Sequence, residues 1–83
     1  MRIGIPRETD SQEPRTPIVP QGLKSLVDLG AEVVFEGGLG AAAGFPDQPY
    51  LDAGGREAAR EDTMSGSDLV LRLAPPGVLE VSL

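Results

Sequence analysis

The chain contains no cysteine, no histidine and no tryptophan. The first absence rules out a disulfide framework and a thiolate metal site. The second rules out histidine general bases, serine–histidine pairs and histidine-ligated metals within these 83 residues. Aromatics are only three, Phe35, Phe45 and Tyr50, so any core is mainly aliphatic. Basic side chains are scarce as well: seven against 13 acids, a net charge of −6. Binding to a phosphate backbone needs a basic face, so nucleic acid is not an expected partner. The same balance gives no support for docking on an anionic membrane. No apolar run approaches a membrane span, and the apolar part of "MRIGIPRE" is too short for a signal peptide. The expectation is a soluble, cytoplasmic chain.

Glycine and proline, in contrast, are plentiful, at eleven and eight. They imply short elements and many turns. A hydrophobic share of 40% is enough for one modest core, and the length allows at most one small domain. Arg2 to Pro6 alternates with Ile3 and Ile5 on one face and predicts a first strand ended by Pro6. Arg7 to Pro20 is polar and holds three prolines, which predicts a loop. Pro20 suits a helix first turn, Leu23, Leu26 and Val27 follow at helical spacing, and Gly30 supplies the stop. "EVVFE", Glu32 to Glu36, predicts a second strand. A short helix follows with Asp47 as its N-cap and Gly54 and Gly55 at its end. Arg56 to Asp62 is charged and alanine-rich. Its helix propensity is favourable, yet its place in the order predicts a short edge strand or an irregular turn. Asp68 to Leu73, "DLVLRL", reads as a strand buried on both faces. "GVLEVSL" begins a further element. This alternation predicts an α/β fold, a partial parallel sheet with flanking helices.

One stretch, "VVFEGGLGAAAGF", invites a different reading. Gly38, Gly40 and Ala43 match G-x-G-x-x-A, and Glu57 and Glu61 follow at roughly the 20-residue distance of the ribose-binding acid. A true fingerprint opens a helix whose N-terminus receives a pyrophosphate. Gly44 and Pro46 come too soon for such a helix, so the stretch reads as a turn without cofactor.

Several segments together carry a family resemblance: "MRIGIPRE", "EPR" at Glu13 to Arg15, Pro20, "LVDLGAEVVFEGGLGAAAGFPDQPYLDAGG" and "SDLVLRLAPP". In order and spacing they resemble the opening of the alanine dehydrogenase and NAD(P) transhydrogenase alpha-subunit family. The likeness covers essentially the whole chain. It implies the incomplete Rossmann-like or flavodoxin-like N-terminal domain of that family, with residues 1–83 as its first part. It implies no cofactor in this segment, a nucleotide-binding domain beyond residue 83, and NAD(H) and NADP(H) in the complete protein. Two features lean toward the transhydrogenase side. "AGFPDQPY" resembles the transhydrogenase pattern A-G-F-x-D-x-x-Y. Alanine dehydrogenases typically read K-V-K-E-P where this chain reads "RLAPP", so Ala74 stands where their second, substrate-contacting lysine stands. A transhydrogenase alpha subunit implies hydride transfer from NADH to NADP⁺ and a homodimer of that subunit. It also implies membrane transhydrogenase subunits as partners, hence a place in the cytoplasm or peripheral to the inner membrane. The segment alone is then inactive. The alternatives are an alanine dehydrogenase segment and a small non-enzymatic α/β interaction module.

For chemistry, the candidate is Arg15. The resemblance matches it to the arginine that holds the substrate carboxylate in alanine dehydrogenases, a task suited to the planar guanidinium fork. It reads equally as a solvated loop charge paired with Glu13 or Asp10. Arg72 either points into a cleft at a strand's carboxyl end or snorkels to solvent. The acids of "REAARED" read as a solvated face, not a metal site. No catalytic residue and no metal ligand is assigned. Hydride transfer between nicotinamides requires neither histidine nor cysteine, since the cofactors carry the chemistry.

Overall fold

Short apolar runs punctuated by glycine and proline form the elements of this chain. The computed structural model describes residues 1–7, 16–74 and 78–82. Strand β1 (Arg2–Ile5) leads to helix α1 (Pro20–Asp28), strand β2 (Glu32–Glu36), a 3₁₀ turn at Ala41–Ala43 and helix α2 (Asp47–Asp52). Strand β3 (Arg56–Ala58), helix α3 (Arg60–Ser65), strand β4 (Leu69–Ala74) and strand β5 (Val78–Ser82) complete the order. The sheet runs β3-β2-β1-β4-β5. The pairs β2–β3, β1–β2 and β1–β4 are parallel. The expected α/β parallel sheet is therefore present.

Register decides which side chains share a face. Ile3 pairs with Val33 and Ile5 with Phe35. These four point to one side and join Leu23 of α1, Leu39 and Tyr50 of α2 in a single buried cluster. Burial of each such side chain contributes about 1.5–3 kcal/mol. Phe35 and Tyr50 meet with ring centroids 5.4 Å apart, tilted by 40°, a favourable aromatic geometry. Gly4 and its partner Val34 face the other side, where α3 packs. A Cβ at Gly4 would run into the Thr63 carbonyl oxygen, so glycine permits that close approach.

Helices α1 and α2 end in the same way. Beyond α1, the Gly30 N–H donates to the Val27 carbonyl and Ala31 N–H to the Leu26 carbonyl. Beyond α2, the Gly54 N–H donates to Leu51 and Gly55 N–H to Tyr50. This is the Schellman pattern, with a left-handed glycine after the cap: φ is +99° at Gly30 and +103° at Gly54.

Three expectations are corrected, and the orientation of β5 is added to them. Asp47 is not an N-cap. It is the first residue of α2, after Pro46, and its Oδ1 accepts the Gly38 N–H at 2.9 Å. The stretch after the expected edge strand β3 is helical: α3 begins at Arg60, with Glu61 and Asp62 in its first turn, where carboxylates favour a helix dipole. The strands buried on both faces are β1 and β2, since Ile3, Gly4 and Ile5, and Val33, Val34 and Phe35, are all buried. Leu69, Val70 and Leu71 of β4 are only partly buried. Finally, β5 is antiparallel to β4. The connection spans only residues 75–77, and a parallel return needs a crossover of roughly a dozen residues or more.

Candidate functional site at the carboxyl edge of the sheet

In an open parallel sheet, ligands bind outside the carboxyl ends of the strands, where the strand order reverses. Here the chain winds outward from β1 through β2 to β3, then returns to the other side of β1 as β4. The reversal falls between β1 and β4. The carboxyl edge there consists of Pro6 and Arg7 after β1, Arg72 to Ala74 at the end of β4, and the glycine turn after β2.

Glu36, the last residue of β2, ties this edge together. Its Oε1 accepts the Arg7 peptide N–H at 3.0 Å and Arg60 Nη1 at 2.9 Å. Arg7 Nε lies 3.6 Å from Oε2, and Arg60 Nη1 also donates to the Arg7 carbonyl at 3.3 Å. One carboxylate thus links the end of β1, the end of β2 and the start of α3. At the opposite edge Asp68 plays the matching part between β1 and β4. Its Oδ2 accepts the Arg2 N–H and its own N–H donates to the Arg2 carbonyl, both at 2.8 Å.

The glycine turn is built for packing. The Gly38 N–H is taken by Asp47, and a Cβ on Gly40 would meet Phe45 at 2.7 Å and the Tyr50 ring at 2.9 Å. The Ala41–Ala43 segment is a single 3₁₀ turn closed by Gly44 at φ +89°. The helix a dinucleotide fingerprint requires does not form there. Glu57 and Glu61 lie on β3 and α3, not at the end of an apolar second strand.

Arg15, the sequence candidate, lies outside the described residues. The segment directly after it is firmly held. The Thr16 hydroxyl is 3.0 Å from the Ile18 carbonyl and 3.1 Å from the Leu39 carbonyl. The Tyr50 hydroxyl donates to Ile18 O at 2.8 Å. Burial above all pushes the Tyr50 pKa up. The hydrogen bond with Thr16 opposes this and the Asp47 charge adds to it. Tyr50 therefore stays protonated and donating at neutral pH. Arg72 is exposed near the end of β4. Sequence reasoning missed Arg7, Glu36 and Arg60, because their meeting depends on strand order. The one available signal was a charge at the end of each predicted strand. Among the described residues no His/Cys/Asp/Glu group could hold a metal ion, and no helix is long and apolar enough to cross a membrane.

Comparison with known proteins agrees with this architecture. Residues 4–83 match the family model described as alanine dehydrogenase/PNT, N-terminal domain. The chain is 34% identical over 76 residues to the alanine dehydrogenase of Staphylococcus epidermidis, covering 92% of this chain and 20% of that protein. It has the same identity and coverage with alanine dehydrogenase 2 of Staphylococcus aureus strain USA300. Among solved structures, an L-alanine dehydrogenase superposes with a TM-score of 0.82 at 34% identity, over 92% of this chain and 22% of that one. A transhydrogenase from Sinorhizobium meliloti also gives 0.82, at 33% identity, over 88% and 21%. The chain spans about a fifth of the length of these relatives. With a family-model match over residues 4–83 and a matching fold, the chain belongs to the alanine dehydrogenase/PNT N-terminal domain family.

Proposed function

We propose that residues 1–83 are the first part of the N-terminal domain of an NAD(P) transhydrogenase alpha subunit. The complete protein moves hydride from NADH to NADP⁺, and the nucleotide-binding domain lies in sequence beyond residue 83. The nicotinamides carry the chemistry, and the protein holds two rings in reach of each other. This segment then supplies one wall of the nucleotide cleft and is inactive alone. The alpha subunit acts as a homodimer, peripheral to the inner membrane through membrane partner subunits.

The observation that carries this choice is Ala74, the last residue of β4 at the carboxyl edge. It stands where alanine dehydrogenases have a substrate-contacting lysine, and it has no amine to offer a substrate. The second reading is alanine dehydrogenase. It is favoured by the names of the similar curated proteins and gives Arg15 the task of holding the substrate carboxylate.

The deciding measurement is made on the complete protein with its downstream domain. NADH-dependent reduction of an NADP⁺ analogue, with no L-alanine-dependent reduction of NAD⁺, supports the transhydrogenase reading. Robust alanine-dependent NAD⁺ reduction overturns it.

A further inference from the structure

The Arg7–Glu36–Arg60 cluster has donor capacity beyond its role as a tie. Two guanidiniums share one carboxylate, so these three residues together carry a charge of +1 in a chain whose overall charge is −6. Glu36 is tucked in, its side chain 15% exposed, whereas those of Arg7 and Arg60 are 53% and 43% exposed. A guanidinium has five N–H donors in a rigid fork. Arg60 spends Nη1 on both Glu36 and the Arg7 carbonyl. Among the described residues no further partner is seen for its remaining donors or for the Nη atoms of Arg7. Gly38 lies beside Arg7, and even a bare Cβ there would come within 3.3 Å of Arg7 Nη1. Glycine at this position leaves room for the Arg7 guanidinium.

The geometry points to an oxyanion subsite formed by Arg7 and Arg60, pre-set by Glu36, at the carboxyl edge where β1, β2 and α3 meet. Its ligand is a phosphate or a carboxylate, received by the N–H donors of both forks that Glu36 does not take. Bidentate guanidinium recognition suits either group. Glu36 holds the two side chains near one position in advance, which lowers the ordering cost of binding. The carboxyl ends of the strands are the side on which open α/β sheets bind ligands. The proposal is independent of the transhydrogenase choice, because it rests on these three residues alone.

The test is calorimetric titration of inorganic phosphate, and separately of acetate, into the complete chain at constant ionic strength. Saturable binding of at least one anion is expected. Arg60→Gln and Arg7→Gln should each weaken it by about tenfold, as charge-assisted hydrogen bonds are lost. Arg7→Gln retains the peptide N–H bond to Glu36, so it serves if Arg60→Gln fails to fold. Arg56→Gln removes an equal charge from the amino edge, where Arg56 pairs with Glu32, and should leave affinity within about twofold. Preference for phosphate identifies a nucleotide-like ligand; preference for acetate identifies a carboxylic acid. The proposal is overturned if neither anion binds saturably, or if Arg56→Gln weakens binding as much as the edge variants do. A loss of stability in Arg60→Gln with unchanged anion affinity would reduce the cluster to a structural tie and also overturns it.

Discussion

Tyr50 shows at the residue scale how one side chain joins three parts of the chain. Its ring fills the core against Phe35, and its hydroxyl reaches Ile18 across 32 positions of sequence. Tyr50→Phe keeps the ring and removes one hydrogen bond. Ile18 O retains the Thr16 hydroxyl, so the expected loss is about 1 kcal/mol by chemical denaturation. A pH signature accompanies it. The folded pKa is raised above the ordinary 10.0, mainly by burial. The folded chain therefore keeps its proton where the unfolded chain has lost it. This contribution is whole below pH 10 and declines as pH rises past 10 toward the folded value. Denaturation midpoints measured above pH 10 should fall less steeply in Tyr50→Phe than in the parent chain. From sequence, Tyr50 was visible as one of three aromatics and as the end of "AGFPDQPY"; its hydroxyl partner is set by how α2 crosses the loop end, which no local pattern encodes.

Elements were legible wherever local chemistry agreed with position. Pro20, the spacing of Leu23, Leu26 and Val27, and Gly30 predict α1, and the helix forms over Pro20–Asp28 with its stop at Gly30. "EVVFE" becomes β2 with the expected bounds. Gly30 and Gly54 make a matched pair of tests. Both have positive φ, but a Cβ at Gly30 meets nothing within 4 Å, whereas one at Gly54 comes within 3.0 Å of Val27 Cγ1. Gly30→Ala should cost roughly 1–2 kcal/mol from backbone strain alone. Gly54→Ala should cost more, about 2–3 kcal/mol, since the contact adds to the strain. Thermal unfolding of the two variants side by side checks the ranking. Helix α3 was not foreseen because its six residues carry no repeating apolar face. Its one buried side chain is Thr63, which bonds to the Ala59 carbonyl at 2.9 Å and sits over Gly4. The pairing of a glycine on β1 with a small polar residue on α3 is a tertiary fit, not a local propensity.

Across the whole molecule, the edges and the charge distribution matter most. Edge strand β3 is three residues long and bears Arg56 and Glu57, a short charged edge of the kind that discourages strand addition. The chain by itself, on the proposed reading, should show no hydride transfer between nicotinamides in a spectrophotometric assay. The complete protein should show it, and turnover by the isolated chain would refute that division of labour. The composition determined much before any folding was considered. Without cysteine or histidine, thiolate and imidazole chemistry was excluded within these residues, and the run of apolar segments between glycines and prolines determined an α/β alternation. Those properties are local, since residue type and spacing alone set them. Only the tertiary structure decided that β5 turns back antiparallel, that Asp47 serves Gly38 instead of capping its helix, and that Arg7, Glu36 and Arg60 converge on one edge. Each of these depends on which strands lie side by side. Contacts between residues 24 to 53 positions apart are fixed by sheet order and packing, which short-range pattern does not specify.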